Sequence, residues 1–331
     1  MHLLVTGGAG YIGSHAVQQL IEAGHTVVAL DNLCTGHRAA VHPAASFVAL
    51  DLRQTDAVTQ VLRDHHVEAV LHFAAISVVG DSVQQPLRYW DNNIGGAISL
   101  LQAMATADVT RLVFSSTCST YGEPTVMPIR EDTPQRPMNP YGQTKLAIER
   151  LIADHAAATP AFGYLSLRYF NVAGCDESGR LGEDHRPETH LVPILMQAAL
   201  GQRDHVAVYG TDYATADGTC VRDYLHVDDL VRAHTLALRH LAPGVGEALN
   251  LGLGRGFSVR ALIEATQAVT GVRFEVRDAP RRAGDVPVLY ADASRAREVL
   301  GWEPKLTAVP EILATAWRWF RANPAGYRGR G

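Results

Sequence analysis

Apolar runs separated by helical patterns organise the first half of this chain. Strands are predicted at about residues 2–6, 26–31, 46–50, 68–74, 111–116 and 164–170, and helices at about 12–23, 54–65, 83–107 and 142–157. This alternation predicts a parallel sheet with helices on both faces. Ligands of such sheets sit beyond the carboxyl ends of the strands. Candidate functional residues stand at those ends, most of them polar or glycine-rich: residues 7–13, Asp31 with Asn32, Asp51 with Leu52, Phe73 with Ala74 and Ala75, Ser115 with Ser116 and Thr117, and Tyr169 with Phe170 and Asn171. Packing alone needs no polar residue there, so six such ends predict one shared site.

From Val172 the texture changes. Residues 174–187 are rich in Gly, Asp, Glu and Arg and read as a long loop, a type that is often functional inside a compact domain. Helices follow at about 192–200, 228–241, 258–270 and 308–322, and strands at about 206–209, 248–251 and 273–277. The strand at 248–251 is placed back in the main sheet. The predicted organisation is a nucleotide domain over 1–172, with 226–255 returning to it, and a substrate domain over 173–331. No internal repeat or low-complexity segment is present.

Composition narrows the class. The chain has 331 residues, 47% of them hydrophobic, enough for a large core, and its net charge of -5 with no basic patch predicts no nucleic-acid partner. Its apolar runs stay below the roughly eighteen residues of a membrane span, and the first strand starts at residue 2 or 3, leaving no room for a leader. Cys34, Cys118, Cys175 and Cys220 are widely spaced, which predicts reduced thiols in the cytoplasm, no disulfide framework and no zinc site; no metal is assigned.

The first strand runs into Gly7, Gly8, Gly10, Tyr11, Ile12 and Gly13, which satisfy both G-x-G-x-x-G and G-x-x-G-x-x-G. Glycines there let the backbone approach a ligand, and the helix that follows offers unpaired N–H groups to a pyrophosphate. Asp31, ending the second strand, stands where a dinucleotide fingerprint needs an acid. Its carboxylate accepts hydrogen bonds from a ribose 2′-hydroxyl and repels a 2′-phosphate, which selects NAD over NADP. Fold class follows: α/β, a Rossmann-type doubly wound parallel sheet with a smaller C-terminal α/β substrate domain.

Tyr141 and Lys145 lie four apart at the start of a helix and therefore share a face. A phenol, with a pKa of about 10, is a poor base at neutral pH. A nearby ammonium favours the phenolate, so the pair can exchange a proton with a substrate hydroxyl while a nicotinamide exchanges hydride. Thr117 is positioned to hold a substrate oxygen beside Tyr141.

These motifs carry a resemblance. The glycine turn with Tyr-x-x-x-Lys resembles the extended short-chain dehydrogenase/reductase superfamily. His72-Phe73-Ala74-Ala75, Asp91-Asn92-Asn93, Leu167-Arg168-Tyr169-Phe170-Asn171, Asp217-Gly218-Thr219-Cys220-Val221-Arg222-Asp223-Tyr224 and the turn Arg281-Arg282-Ala283-Gly284-Asp285 sharpen it to the NAD-dependent epimerase family acting on UDP-sugars. The likeness spans residues 1 to about 303. It implies bound NAD held by Gly7, Gly10, Tyr11, Ile12, Gly13, Asp31, Asn32, Asp51, Leu52, Phe73, Ala74, Ala75, Asn92, Ser115, Tyr141, Lys145 and Tyr169. It implies Tyr141 as proton acceptor from O4 of the sugar, Lys145 lowering the Tyr141 pKa, and Thr117 hydrogen-bonding O4. Asn171, His190, Leu191, Ala207, Tyr209, Arg222, Arg282, Asp285 and Leu289 would line the UDP-sugar, the arginines offering a fork of donors suited to a diphosphate. A homodimer through helices 83–107 and 142–157 is implied as well. Three departures stand out: Ser77 where some members carry Lys, His190 where some carry Asn, and Leu289 at a pocket edge that varies in size. Of the rivals, a 4,6-dehydratase needs an Asp-Glu pair after Thr117, where Cys118-Ser119 stands. A nucleotide-sugar decarboxylase needs only a cation for its carboxylate. A catalytically idle NAD sensor often lacks the Tyr or the Lys, and both are present.

Overall fold

The computed structural model describes residues 1–282 and 285–329. The first half runs β1 (His2–Thr6), α1 (Tyr11–Glu22), β2 (Thr26–Asp31), β3 (Ser46–Ala49), α2 (Thr55–Asp64), β4 (Ala69–His72), α3 (Val79–Gln84), α4 (Pro86–Tyr89), α5 (Gly96–Thr106), β5 (Arg111–Ser115), α6 (Pro140–Ala158) and β6 (Gly163–Tyr169). The second half runs β7 (Asn171–Ala173), α7 (Leu191–Ala199), β8 (His205–Tyr209), β9 (Val221–Arg222), β10 (Tyr224–His226), α8 (Val227–His240), β11 (Gly246–Leu251), β12 (Phe257–Ser258), α9 (Val259–Thr270), β13 (Glu275–Ala279), β14 (Val288–Leu289), α10 (Ser294–Leu300) and α11 (Val309–Ala322).

Seven strands form one sheet in the order β11-β6-β5-β4-β1-β2-β3, every pair parallel. Strand geometry sends successive side chains to opposite faces. Leu3, Val5, Val27, Ala29 and Leu71 pack on one face with Val231 and Leu238 of α8. Leu4, Val28, Leu30, Val70 and Phe114 pack on the other with Val58, Leu100 and Ile148 from α2, α5 and α6. Burial on both faces is why these strands read as unbroken apolar runs. Strand order reverses between β1 and β4, so a crevice opens where those two strands end.

A second core gathers Leu195 and Met196 of α7, Val206 and Val208 of β8, Leu262 of α9, and Ile312 and Trp319 of α11. It carries the small sheets β13-β8 and β12-β9-β14, from which Tyr209, Arg222 and Leu289 reach the crevice. The strand after α8 rejoins the main sheet at its edge, pairing Gly246 with Tyr164 and Leu251 with Tyr169.

The single helix predicted over 83–107 is three pieces. Pro86 has no N–H and restricts the residue before it; Gln85 lies off the helical region at φ -127°, ψ 54° and α4 restarts with Pro86 in its first turn. A π-helical turn then spans Trp90–Gly95. Such turns are frequent at functional sites, and this one places Asn92 on the crevice wall and buries Asn93, whose amide donates to the Ile76 carbonyl (3.1 Å) and to Thr144 Oγ1 (3.1 Å). Thr144 precedes Lys145, so this contact fixes the start of α6.

Candidate active site

A cavity of about 1040 Å³ fills the crevice between the sheet and the second core. This is at the upper end for a single small ligand. Gly7, Gly10, Tyr11, Ile12, Gly13, Asp31, Asn32, Asp51, Leu52, Phe73, Ala74, Ala75, Asn92, Ser115, Thr117, Tyr141, Lys145 and Tyr169 line one arm, and Asn171, His190, Leu191, Tyr209, Arg222, Arg282, Asp285 and Leu289 line the other. Ala207 does not reach the cavity: it sits within β8, two residues short of Tyr209, whose ring stands at the strand's end on the wall. Ala283 and Gly284 of the arginine turn lie outside the described residues.

The glycine turn is packed against backbone. Gly7 takes φ 70° and donates its N–H to the Leu30 carbonyl (2.8 Å). A Cβ on Gly13 would lie 2.0 Å from the Gly7 carbonyl oxygen, and one on Gly7 would lie 2.8 Å from the Ala74 nitrogen. Only glycine lets the turn close while the N-terminus of α1 faces the cavity. The cradle therefore fits a dinucleotide pyrophosphate. Asp31 accepts from the N–H groups of Ala9 (3.0 Å) and Leu33 (2.7 Å), which fix its carboxylate at the end of β2. Burial raises its pKa and those two N–H groups oppose the rise. Asp51 is held well below the usual carboxylate range, chiefly by Arg53, and also accepts from Asn32 Nδ2 (3.2 Å).

The reacting end sits where β5 meets α6. Asn139 caps α6, accepting from the Gly142 N–H (2.8 Å), and so sets Tyr141 in the first turn. Thr117 serves two roles at once. Its oxygen accepts from the Ser119 N–H (3.2 Å), capping a short turn, and its side chain lines the cavity together with Tyr141. Lys145 Nζ donates to the Ser115 carbonyl (2.8 Å), and Ser115 Oγ lies 2.5 Å from the Tyr169 hydroxyl. Burial pushes the Tyr141 phenol well up and draws Lys145 down to about 7. Burial is the largest influence on both groups in the chain alone.

The far arm is cationic. Arg222 reaches Asp285, with Nη2 3.9 Å from Oδ1, and Arg282 lies over the Tyr209 ring at 3.9 Å. Neighbouring Arg281 turns outward and pairs with Asp212 at 2.7 Å. Asp223 holds this arm in place by accepting from the N–H groups of Leu253, Gly254 and Ala291 (2.8–3.2 Å). Cys118 and Ser119 line the wall beside Thr117, and neither brings the carboxylic acid of a dehydratase.

The sequence reading missed Arg203, whose lone position in a turn resembles solvated surface, and the group Glu183, His185 and Glu188 beside His190. A repeated Glu-x-His spacing was the available signal. Burial opposes charge on both histidines, but Glu183 and Glu188 outweigh it, raising His185 to about 9 and His190 to about 10.

Residues 3–252 match the NAD dependent epimerase/dehydratase family. A UDP-glucose 4-epimerase of Lactobacillus helveticus is 49% identical over 331 residues, covering all of both chains. The solved UDP-glucose-4-epimerase of Stenotrophomonas maltophila, with bound NAD and formylated UDP-arabinopyranose, is 43% identical with a TM-score of 0.94, covering 98% of this chain and 99% of that one. The UDP-glucose 4-epimerase of Bifidobacterium longum in complex with NAD⁺ and UDP is 37% identical with a TM-score of 0.95, covering 98% of this chain and all of that one. With a seven-stranded parallel sheet, a glycine cradle and the Tyr141–Lys145 helix in place, the chain belongs to the NAD dependent epimerase/dehydratase family.

Proposed function

We propose that the protein is a UDP-glucose 4-epimerase, an NAD-dependent isomerase that interconverts UDP-glucose and UDP-galactose. The observation that carries this reading is one cavity joining the glycine cradle and Tyr141 to the Arg222 and Arg282 arm. Residues 7–13 and Asp31 would hold NAD, and the arginines with Asn171 would hold the UDP diphosphate. When bound, oxidised NAD supplies what the chain lacks, a cationic ring that favours the phenolate and reversible oxidation at sugar C4. Tyr141 takes the O4 proton and later returns it. Thr117 orients O4 toward Tyr141. Lys145, anchored on Ser115, holds the nicotinamide ribose against α6. The diphosphate stays clamped while the sugar turns, so C4 would present its opposite face when the hydride returns to it, and Tyr141 would give the proton back to O4. Conversion of UDP-galactose by the isolated protein without added NAD is the test.

We also propose a cytoplasmic homodimer. All four cysteines are unpaired, as suits a reducing compartment. Among the described residues, no helix is long and apolar enough to cross a membrane. Val79, Val83, Leu87, Trp90 and Ile98 stand exposed along α3 to α5, with Leu87 82% exposed. Exposed apolar side chains gathered on one stretch of the surface fit a face that meets a partner. Leu87→Asp is expected to shift the mass seen by light scattering from twice 35.8 kDa to the single-chain value. A wild-type protein that is monomeric at micromolar concentration would refute the dimer.

A further inference from the structure

We infer that Glu183, His185, Glu188 and His190 form a binding site for one divalent transition-metal ion of the zinc class. Their candidate ligand atoms all lie within 4.8 Å of one another. The shorter separations are Glu183 Oε1 to His190 Nδ1 at 3.0 Å, Glu188 Oε1 to His190 Nδ1 at 3.1 Å, Glu183 Oε1 to His185 Nδ1 at 3.3 Å and Glu188 Oε2 to His185 Nδ1 at 3.7 Å. A tetrahedral ion bound at about 2.0–2.2 Å holds its ligands about 3.3–3.6 Å apart. The four groups already stand close to that spacing.

Three further features point to an ion. Glu183 and Glu188 are 3% and 9% exposed, and their side-chain ion partners are these two imidazoles. A pair of buried carboxylates needs about two compensating positive charges, which a divalent ion would supply once both imidazoles give up their protons to ligate it. His185 Nδ1 is buried and makes no hydrogen bond, although it faces both carboxylates. Glu188 Oε1 accepts from the N–H groups of Thr189 and His190 (both 2.8 Å), which fixes the carboxylate and leaves Oε2 toward the centre. Two imidazoles with two carboxylates suit zinc rather than calcium or magnesium, which favour oxygen ligands.

The site's place gives it a task. The four ligands come from eight consecutive residues of the loop entering α7, and they line the cavity close to Tyr11 of the glycine turn, whose ring meets His185 edge-on at 6.4 Å. A bound ion would staple the two ends of this segment and stiffen the wall between the cofactor and nucleotide arms. The inference does not depend on which sugar is the substrate.

The test uses tag-free, full-length protein, stripped with a chelator and titrated with Zn²⁺ or Co²⁺ alone. Expected results are one zinc retained per chain by elemental analysis, a visible tetrahedral Co²⁺ absorption bleached by Zn²⁺, and a thermal midpoint several degrees higher with excess zinc. Glu183→Gln and His185→Gln should each weaken retention at least tenfold, with folding checked by circular dichroism. Should Glu183→Gln not fold, His185→Gln, on a part-exposed side chain, decides alone. Failure to retain zinc, the absence of the Co²⁺ band, or uptake unchanged by His185→Gln would overturn the assignment.

Discussion

Tyr141→Phe lowers turnover by about a hundredfold or more, the scale of a lost general base, and leaves the fold and bound NAD in place. The substitution removes one oxygen from a ring that is 9% exposed and packed against Ile76 and Tyr89. What the site loses is the phenol oxygen, the group proposed to exchange the O4 proton. Nothing else in the reacting end substitutes for it: Lys145 is tied to the Ser115 carbonyl and Ser115 to Tyr169. Steady-state kinetics should show the loss in kcat, with KM for UDP-galactose changed little, because the diphosphate is held at the other arm. Near-normal turnover in this variant would remove Tyr141 from the mechanism.

Arg168→Met costs about 3–5 kcal/mol of stability, the usual penalty for stranding one charge of a buried pair. Arg168 on β6 and Glu149 on α6 are 6% and 8% exposed, and Arg168 Nη2 lies 2.6 Å from Glu149 Oε2. Burial opposes the charge on Arg168, but Glu149 outweighs it and holds the guanidinium above its usual pKa. The network extends through Tyr121, which accepts from Arg168 (2.9 Å) and donates to Asn250 Oδ1 (2.7 Å), so it ties α6 to β6 and β11. Ser116 donates to Glu149 from the end of β5. Glu149 lies one turn after Lys145 on α6, so this lock also sets the catalytic helix. Urea unfolding should show the loss, and the double variant Glu149→Gln/Arg168→Met should recover part of it because no bare charge is left. A loss under about 1 kcal/mol would show the pair to be dispensable.

Much of this was legible in the sequence because the informative elements are long or chemically distinctive. The first six strands fall within two residues of their predicted ends, since burial on both faces leaves unmistakable apolar runs. The glycine turn and the Tyr141–Lys145 spacing were readable because each needs particular residue types at fixed offsets. Other features carry no such pattern. Strands of two or three residues, such as β7, β9, β12 and β14, are too short for periodicity to show, and the seven-residue helix α10 went unread for the same reason. Pro86 did announce its break in the helix over 83–107, but the apolar spacing across it masked the signal. The loop holding Glu183 and His185 was readable as a long polar loop, but not as a cluster. Only tertiary packing shows both carboxylates buried, and only packing separates Arg282 on the cavity wall from Arg281 facing solvent. Spacing reveals the ammonium beside Tyr141 but not the burial that surrounds both groups.

The account rests on NAD being a resident group used and restored within one turnover. The most direct measurement is conversion of UDP-galactose to UDP-glucose by protein freed of unbound nucleotide, with no NAD added. The account predicts sustained conversion over many turnovers, with NAD released only on denaturation. No conversion by protein shown to contain bound NAD would contradict it.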